Sequence, residues 1–584
     1  DRQLSRAVPI TWELVIYLLI FILAVFTRFY QLGDRVMSHD ESLHTRYSYN
    51  LSSEGNFQHT PMMHGPILFH MTALSYTLFG DNDFTSRIYT SVLGVFMVMS
   101  PLLFRRWLGR WGTILACVMI LISPLLLYYN RYIRHDTPSM SYALLMLWGI
   151  MMYLSGPENQ KRRAHWLYVI AASMILNLGS KETAFIYIAI FGVFLALYWF
   201  VRLGQAYWRI PGKPVFQFVV MGTLFGGVLA IGMYIILDVI KFDLISGPDG
   251  VLFAQLSNSD QITYLIWTAA AVIVVLAIIL GPLLWAYQNG GRIRAGQVML
   301  VLGLMFLAAF AFVVVEEVSH TTPTSEMPIA PSDPTQAEEA AIITGSMRTW
   351  PMVLVWLLAI GTLAFLYVVR RRPDDEETDE EGNPKRKRGQ GFWGILDAFP
   401  EVDVMMVIGT LILPWATALV PYLMRGTPAE LINFANSLPA PITSIVQSVP
   451  QINTPQQTGQ VMLHFLAWIP LMAISVALGL AWNWRRWLVA ASVFYSIFAF
   501  FFTTVFTNIA GLASGMIYSL GYWLEQQGVR RGSQPQYYYL LIIMPFYEFL
   551  PVIGSLLAML AGSVLFWRNT RKVNELEAEF AQAS

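Results

Sequence analysis

The chain alternates between long, uninterrupted apolar runs and short polar connections. The runs fall at about 11–31, 84–104, 112–129, 136–154, 166–178, 182–202, 216–238, 261–286, 294–315, 349–370, 402–424, 461–482, 486–507 and 539–567. A helix crossing the hydrocarbon layer needs about 20 such residues. The pattern therefore predicts an all-α polytopic membrane protein with about 13–14 transmembrane helices. The run at 166–178 is short, and 64–80 reads as a re-entrant or interfacial helix. No small-residue cleavage site follows the run from Thr11 to Tyr30. It is expected to be a retained span and not a signal peptide.

The polar connections are uneven. The segment 33–66, GDRVMSHDESLHTRYSYNLSSEGNFQHTPMMHGP, carries Asp34, His39, Asp40, Glu41, His44, Glu54, His59 and His64. It reads as an amphipathic loop. In an extended loop the adjacent Asp40 and Glu41 would point opposite ways. Lysine and arginine concentrate in alternate connections, which orients a polytopic protein. The bias predicts cytoplasmic N- and C-termini and places 33–66, 130–136, 179–182 and 508–538 outside. The segment 371–391 is charged and poor in apolar residues, so it reads as an unstructured cytoplasmic linker. It would divide an N-terminal transmembrane module, 1–370, from a C-terminal one, 392–584. A Pro/Ser/Thr-rich external connection lies at 318–340.

Composition agrees with the membrane reading. Hydrophobic residues make up 56% and charged residues 13%, where soluble domains carry roughly 25% charge. Formal net charge is zero, which makes nucleic acid an unexpected partner. The one cysteine, Cys117, lies in an apolar run. It supports neither an internal disulfide nor a cysteine metal motif.

Candidate chemistry gathers in four segments on the expected outer face. The first combines HDES (39–42) with HGP (64–66). The second is YYNRYIRHD (128–136), where Arg131 and Arg134 would share a face if the stretch were helical, and Asp136 stands where a helix cap is expected. The third is GSKE, with Lys181 and Glu182. The fourth is GYWLEQQGVRRGSQPQYYY (521–539), with Arg531 and Tyr537. Blander roles exist for each. Asp136 and Glu182 could simply cap helices, Lys181 could snorkel to headgroups, and the tyrosines could form an interfacial belt. His39, His44 and His64 are potential metal ligands, but their irregular spacing gives no coordination pattern. Taken together, arginines suit a phosphate and a carboxylate suits removal of a proton from an attacking hydroxyl or amine. The set points to attack on a phosphate-linked group presented by a lipid.

An acidic pair just after the first span resembles the GT-C membrane glycosyltransferases, which include protein O-mannosyltransferases and bacterial aminoarabinose lipid-A transferases. HDESLH, HGPILFH, YYNRYIRHD, the Lys-Glu pair and VRRGSQPQYYY, in that order, resemble more closely a prokaryotic membrane family of the same clan described as flippase-activity-associated. Gln527 and Gln536 stand where that family carries a histidine and a tryptophan. The resemblance implies a GT-C-like N-terminal core covered by an external amphipathic loop, in the plasma (inner) membrane of a prokaryote. It implies a sugar donor on a polyprenyl phosphate, an extracytoplasmic acceptor (protein, lipid or glycan) and inversion at the anomeric carbon. On that reading Asp40 is the general base and Glu41 orients the loop or a bound cation. Arg131, Arg134 and Lys181 hold the donor phosphate, His64 donates to it, and Asp136, Glu182, Arg531 and Tyr537 complete the site. The cofactor is unknown, with a divalent cation (Mg or Mn) as the candidate. The competing expectation is a non-catalytic accessory or structural subunit of a membrane complex, or a lipid-linked sugar flippase component.

Overall fold

The computed structural model describes residues 11–156, 163–205, 349–368, 376–378, 384–386, 399–424, 428–440, 454–525, 542–549 and 551–564, with single residues at 396, 443, 538 and 568. Among them the protein is helical apart from one ribbon. The principal helices are α1 (Trp12–Phe29), α2 (His39–Glu54), α3 (Ile67–Phe79), α4 (Ile88–Met99), α5 (Arg105–Ile122), α6 (Pro124–Asn130), α7 (Asp136–Leu154), α8 (His165–Leu178), α9 (Ala184–Gln205), α10 (Trp350–Val368), α11 (Pro400–Ile412), α12 (Pro428–Ser437), α13 (Pro455–Phe502) and α14 (Ser519–Glu525). Among the described residues four stretches are long and apolar enough to cross a membrane: Trp12–Phe29, Ile88–Ile122, Pro400–Met424 and Pro455–Phe502. The all-α polytopic reading is borne out, and the chain is an integral membrane protein. The runs expected at 216–238, 261–286 and 294–315 lie outside the described residues.

Three features depart from the sequence reading. The segment 33–66 is not an open loop, because α2 occupies its first half. Ser38 Oγ accepts from Glu41 N while a Glu41 carboxylate oxygen accepts from Ser38 N, a reciprocal cap that satisfies two otherwise orphaned donors. The runs at 461–482 and 486–507 form one 48-residue helix, α13. Straight, it would reach about 72 Å, far beyond one crossing. It breaks instead at Asn483 (φ −161°, ψ 94°), whose Oδ1 accepts from Arg486 N at 3.1 Å and so caps the second half. The charged segment expected to be unstructured contains a short antiparallel ribbon of β1 (Glu376–Thr378) and β2 (Pro384–Arg386). Its register sets residue 376 opposite 386 and residue 377 opposite 385.

The largest apolar core joins α7, α8 and α9 to α11 and α13. Tyr153, Leu167, Ile170 and Met174 pack there with Val404, Val407, Trp482 and Phe494. Residues from both sides of 371–391 thus share one core. A smaller cluster ties α1 to α4 and α5 through Tyr17, Ile20, Ala24, Val95, Val98 and Cys117. These contacts fix one end of the bundle, where α1 ends, α2 begins and the turns 131–135 and 179–183 meet.

Candidate active site

Glu41 anchors this end. Its side chain is completely buried, and so is that of Arg87, whose Nε lies 3.0 Å from Glu41 Oε1. Arg35 Nη2 reaches the same oxygen at 2.7 Å, and Ile133 N donates to it at 3.3 Å. Arg87 also donates to the carbonyls of Leu32 and Arg35. One carboxylate therefore ties the start of α2, the turn before it, α4 and the turn before α7. Buried this way, Glu41 cannot touch a substrate and acts as a positioning residue.

Asp40, one residue earlier, faces the other way. Its side chain is 45% exposed, and Oδ2 lies 3.3 Å from Arg134 Nη1. Its place in the first turn of α2 puts the carboxylate beside the positive end of the helix dipole. Arg134 Nε continues to Asp136 Oδ2 at 3.5 Å, and Lys181 Nζ meets Asp136 Oδ1 at 2.5 Å. Asp40, Arg134, Asp136 and Lys181 thus form a partly exposed file of alternating charge. Asp136 begins α7 but does not cap it.

Arg131 does not join that file. Its guanidinium donates to the carbonyls of Thr27, Tyr30 and Gln31, which α1 leaves unsatisfied as it ends. The segment 131–135 is a turn, so the three-residue spacing does not align the two arginines. Burial, with Arg35 and Arg87 nearby, lowers the Arg131 pKa.

Behind the file, His64 Nδ1 lies 2.6 Å from Glu182 Oε2. Glu182 Oε1 accepts from Ser519 Oγ at 3.2 Å. The His64 ring stacks on Trp523, centroids 4.6 Å apart, and Trp523 Nε1 donates to the Pro61 carbonyl at 3.1 Å. His64 sits at φ +64°, a strained conformation for a residue with a Cβ. The following Gly65 is needed for close approach. A Cβ there would lie 2.0 Å from the Gly179 carbonyl oxygen, and Gly65 N donates to Ser180 O at 3.2 Å.

The rings of His44 and His64 lie 4.9 and 5.1 Å from that of the fully buried His135. His44 Nδ1 is 2.8 Å from Ile133 O. Burial pushes the His44 pKa down to about 4 and drives His135 well below its ordinary value. His39 lies apart, exposed at the start of α2. Among the described residues no three His, Cys, Asp or Glu side chains are grouped to hold a metal ion.

The sequence reading missed Arg87, Arg35, Trp523 and Ser519. Arg87 had a signal: a single arginine at the mouth of an apolar run asks for a partner. Trp523 had none, because its contact is made across more than 450 residues. Arg531 and Tyr537 lie outside the described residues.

Residues 63–241 match the family described as dolichyl-phosphate-mannose-protein mannosyltransferase. The resemblance to GT-C membrane glycosyltransferases is thus borne out, with the match covering that part of the chain. An uncharacterized protein of Aquifex aeolicus (strain VF5) is 28% identical over 167 residues, which is 27% of this chain. The chain spans about a third (33%) of the length of that curated relative. Solved structures with some likeness include ArnT from Cupriavidus metallidurans in the apo state, at 12% identity and TM-score 0.27 over 80% of this chain and 76% of that one. ArnT bound to undecaprenyl phosphate gives 13% and 0.26 over 92% and 84%. The Archaeoglobus fulgidus oligosaccharyltransferase tethered to an acceptor peptide gives 12% and 0.28 over 90% and 56%. Scores of this size do not align one site with another.

Proposed function

We propose that the protein is a membrane glycosyltransferase that moves a sugar from a polyprenyl-phosphate donor to an acceptor outside the cytoplasm, with inversion at the anomeric carbon. The observation that carries this reading is the pairing of a half-exposed Asp40 with Arg134, on a helix start that the buried Glu41–Arg87 pair holds in place. Asp40 takes the proton of the acceptor hydroxyl or amine as that group attacks the anomeric carbon. The sugar–phosphate bond breaks, and the electron pair leaves with the lipid phosphate. Arg134 and Lys181 stabilise the charge that develops there, with Asp136 aligning both cations. The His64–Glu182 pair, set by Trp523, lines the inner wall. On this reading, which the bias of basic connections supports, this end lies outside and both termini in the cytoplasm, and the resemblance adds the inner membrane of a prokaryote. The assignment is tested by Asp40→Asn, which keeps size and removes the base. Transfer from a polyprenyl-phosphate-linked sugar is expected to fall roughly 10²-fold or more, with the protein still folded. Near-normal turnover would overturn the assignment.

A second reading is a non-catalytic subunit of a membrane complex. It is favoured by the engagement of Arg131 with α1 carbonyls and of Arg134 with two aspartates. That reading requires a partner that copurifies from the native membrane and no transfer by the wild-type protein.

A further inference from the structure

Pro61 lines a cavity of about 390 Å³, within the size range of small-molecule sites. It is bounded by Pro61, Tyr422 before α12, Gln460 and His464 on α13, and Tyr518 and Tyr522 near α14. Pro61 is the link to the candidate active site, since its carbonyl accepts from the same Trp523 that stacks on His64.

The lining is chemically specific. Among the described residues it contains no Lys, Arg, Asp or Glu, so it offers no fully charged side chain to pair with a phosphate or a carboxylate. Three tyrosine rings and two prolines, Pro61 and Pro421, offer flat apolar faces. Polar groups lie between them. The Tyr518 and Tyr522 hydroxyls and the Gln460 side-chain amide have no hydrogen-bond partner among the described residues, and His464 engages Gln460 O through Nδ1, leaving Nε2. An acyl chain would leave all of these groups unpaired, at a cost of about 1–3 kcal/mol for each one desolvated. An uncharged molecule with apolar ring faces and a rim of hydroxyls would satisfy them.

We infer that this cavity is a neutral saccharide site, holding the sugar of a glycan acceptor beside the candidate active site. The inference rests on the transferase reading and gives its acceptor a chemical class. Sugar C–H faces pack on the tyrosines, while ring hydroxyls bond Gln460, His464 Nε2 and the Tyr518 and Tyr522 hydroxyls.

The test is saturation-transfer NMR on the full chain in nanodiscs free of glycoside detergent. The probes are methyl α- and β-pyranosides of glucose, galactose, mannose and N-acetylglucosamine. Wild type is expected to transfer saturation to at least one of them. Tyr518→Phe and Gln460→Ala, each removing one hydrogen-bonding group, are expected to weaken that binding about tenfold. No transfer to any probe in wild type overturns the proposal. So does binding unchanged in both cavity variants, or displacement of the sugar by an alkyl chain. Failure of the transferase reading would appear as saccharide binding without any sugar transfer, and failure of the saccharide site as transfer without binding.

Discussion

Glu41 Oε1 lies 3.0 Å from Arg87 Nε, and neither side chain touches solvent. Removing one partner of a buried pair leaves an uncompensated charge, typically at about 3–5 kcal/mol. Arg87→Ala is therefore expected to lower the thermal midpoint sharply in nanodiscs. Glu41→Gln keeps the volume and some hydrogen bonds and should cost less. Because Glu41 also accepts from Ile133 N, both variants should free the start of α2 and lower turnover even where the protein stays folded. An Arg87→Ala midpoint equal to that of wild type would sink this account.

The two arginines of the YYNRYIRHD segment should separate cleanly. Arg134 and Lys181 belong to the exposed file with Asp40 and Asp136, whereas Arg131 closes the end of α1. Arg134→Ala and Lys181→Ala are expected to weaken binding of a polyprenyl phosphate at least tenfold, since a hydrogen bond to a charged group contributes about 1.5–3 kcal/mol. Arg131→Ala should leave that affinity near wild type and instead lower stability by about 1–2 kcal/mol, through three lost carbonyl contacts. Native mass spectrometry with added lipid reads the first effect and thermal unfolding the second. The reverse pattern would return the phosphate to Arg131.

Much of this was legible in the chain, and the limits are physical. Membrane spans announce themselves because a hydrocarbon solvent forces about 20 apolar residues in a row. The segments that meet at the site were legible too, since acids and arginines beside apolar runs need partners. The structure of α2 was misread although its signal was present. Ser38-His39-Asp40-Glu41 is a Ser-x-x-Glu capping box, and the high polarity of the following residues masked the helix it starts. That box also separates the two acids: Glu41 turns inward as the cap and Asp40 is left outward. The divergence of Arg131 from Arg134 was not legible, because turn geometry follows from tertiary contacts with α1 and α2. Nor was Trp523, which reaches His64 only once α13 and α14 have folded back over Pro61.

Gly65 gives a test of close packing. An alanine Cβ would sit 2.0 Å from Gly179 O and 2.7 Å from Ser180 N, both backbone atoms. Neither can swing away as a side chain would. Gly65→Ala should force the HGP turn off the 179–180 turn, break the Gly65 N–Ser180 O bond and displace His64 from Glu182. Expression of folded protein should drop severely. A variant that folds with a normal midpoint would mean that the two turns are not in contact.

Acid should weaken the fold through buried histidines. Burial holds His44 and His59 down at about 4, whereas an unfolded histidine titrates near 6.5. Between those values the unfolded chain binds protons that the native state refuses, so stability is complete above about pH 6.5 and falls as pH drops toward 4. The loss by pH 4 is on the order of 3 kcal/mol for each such group, from about 1.4 kcal/mol per unit of displacement. His135, also driven down, adds in the same direction. A melting series from pH 8 to 5 should therefore show a plateau and then a decline beginning near pH 6.5, before most carboxylates titrate. His59→Gln keeps a partner for Ser514 Oγ, which lies 2.8 Å from His59 Nδ1, and removes one titrating group, so it should flatten the decline. A midpoint that stays level from pH 7 to 5, or a decline that His59→Gln leaves unaltered, would show that these rings are not held neutral by burial.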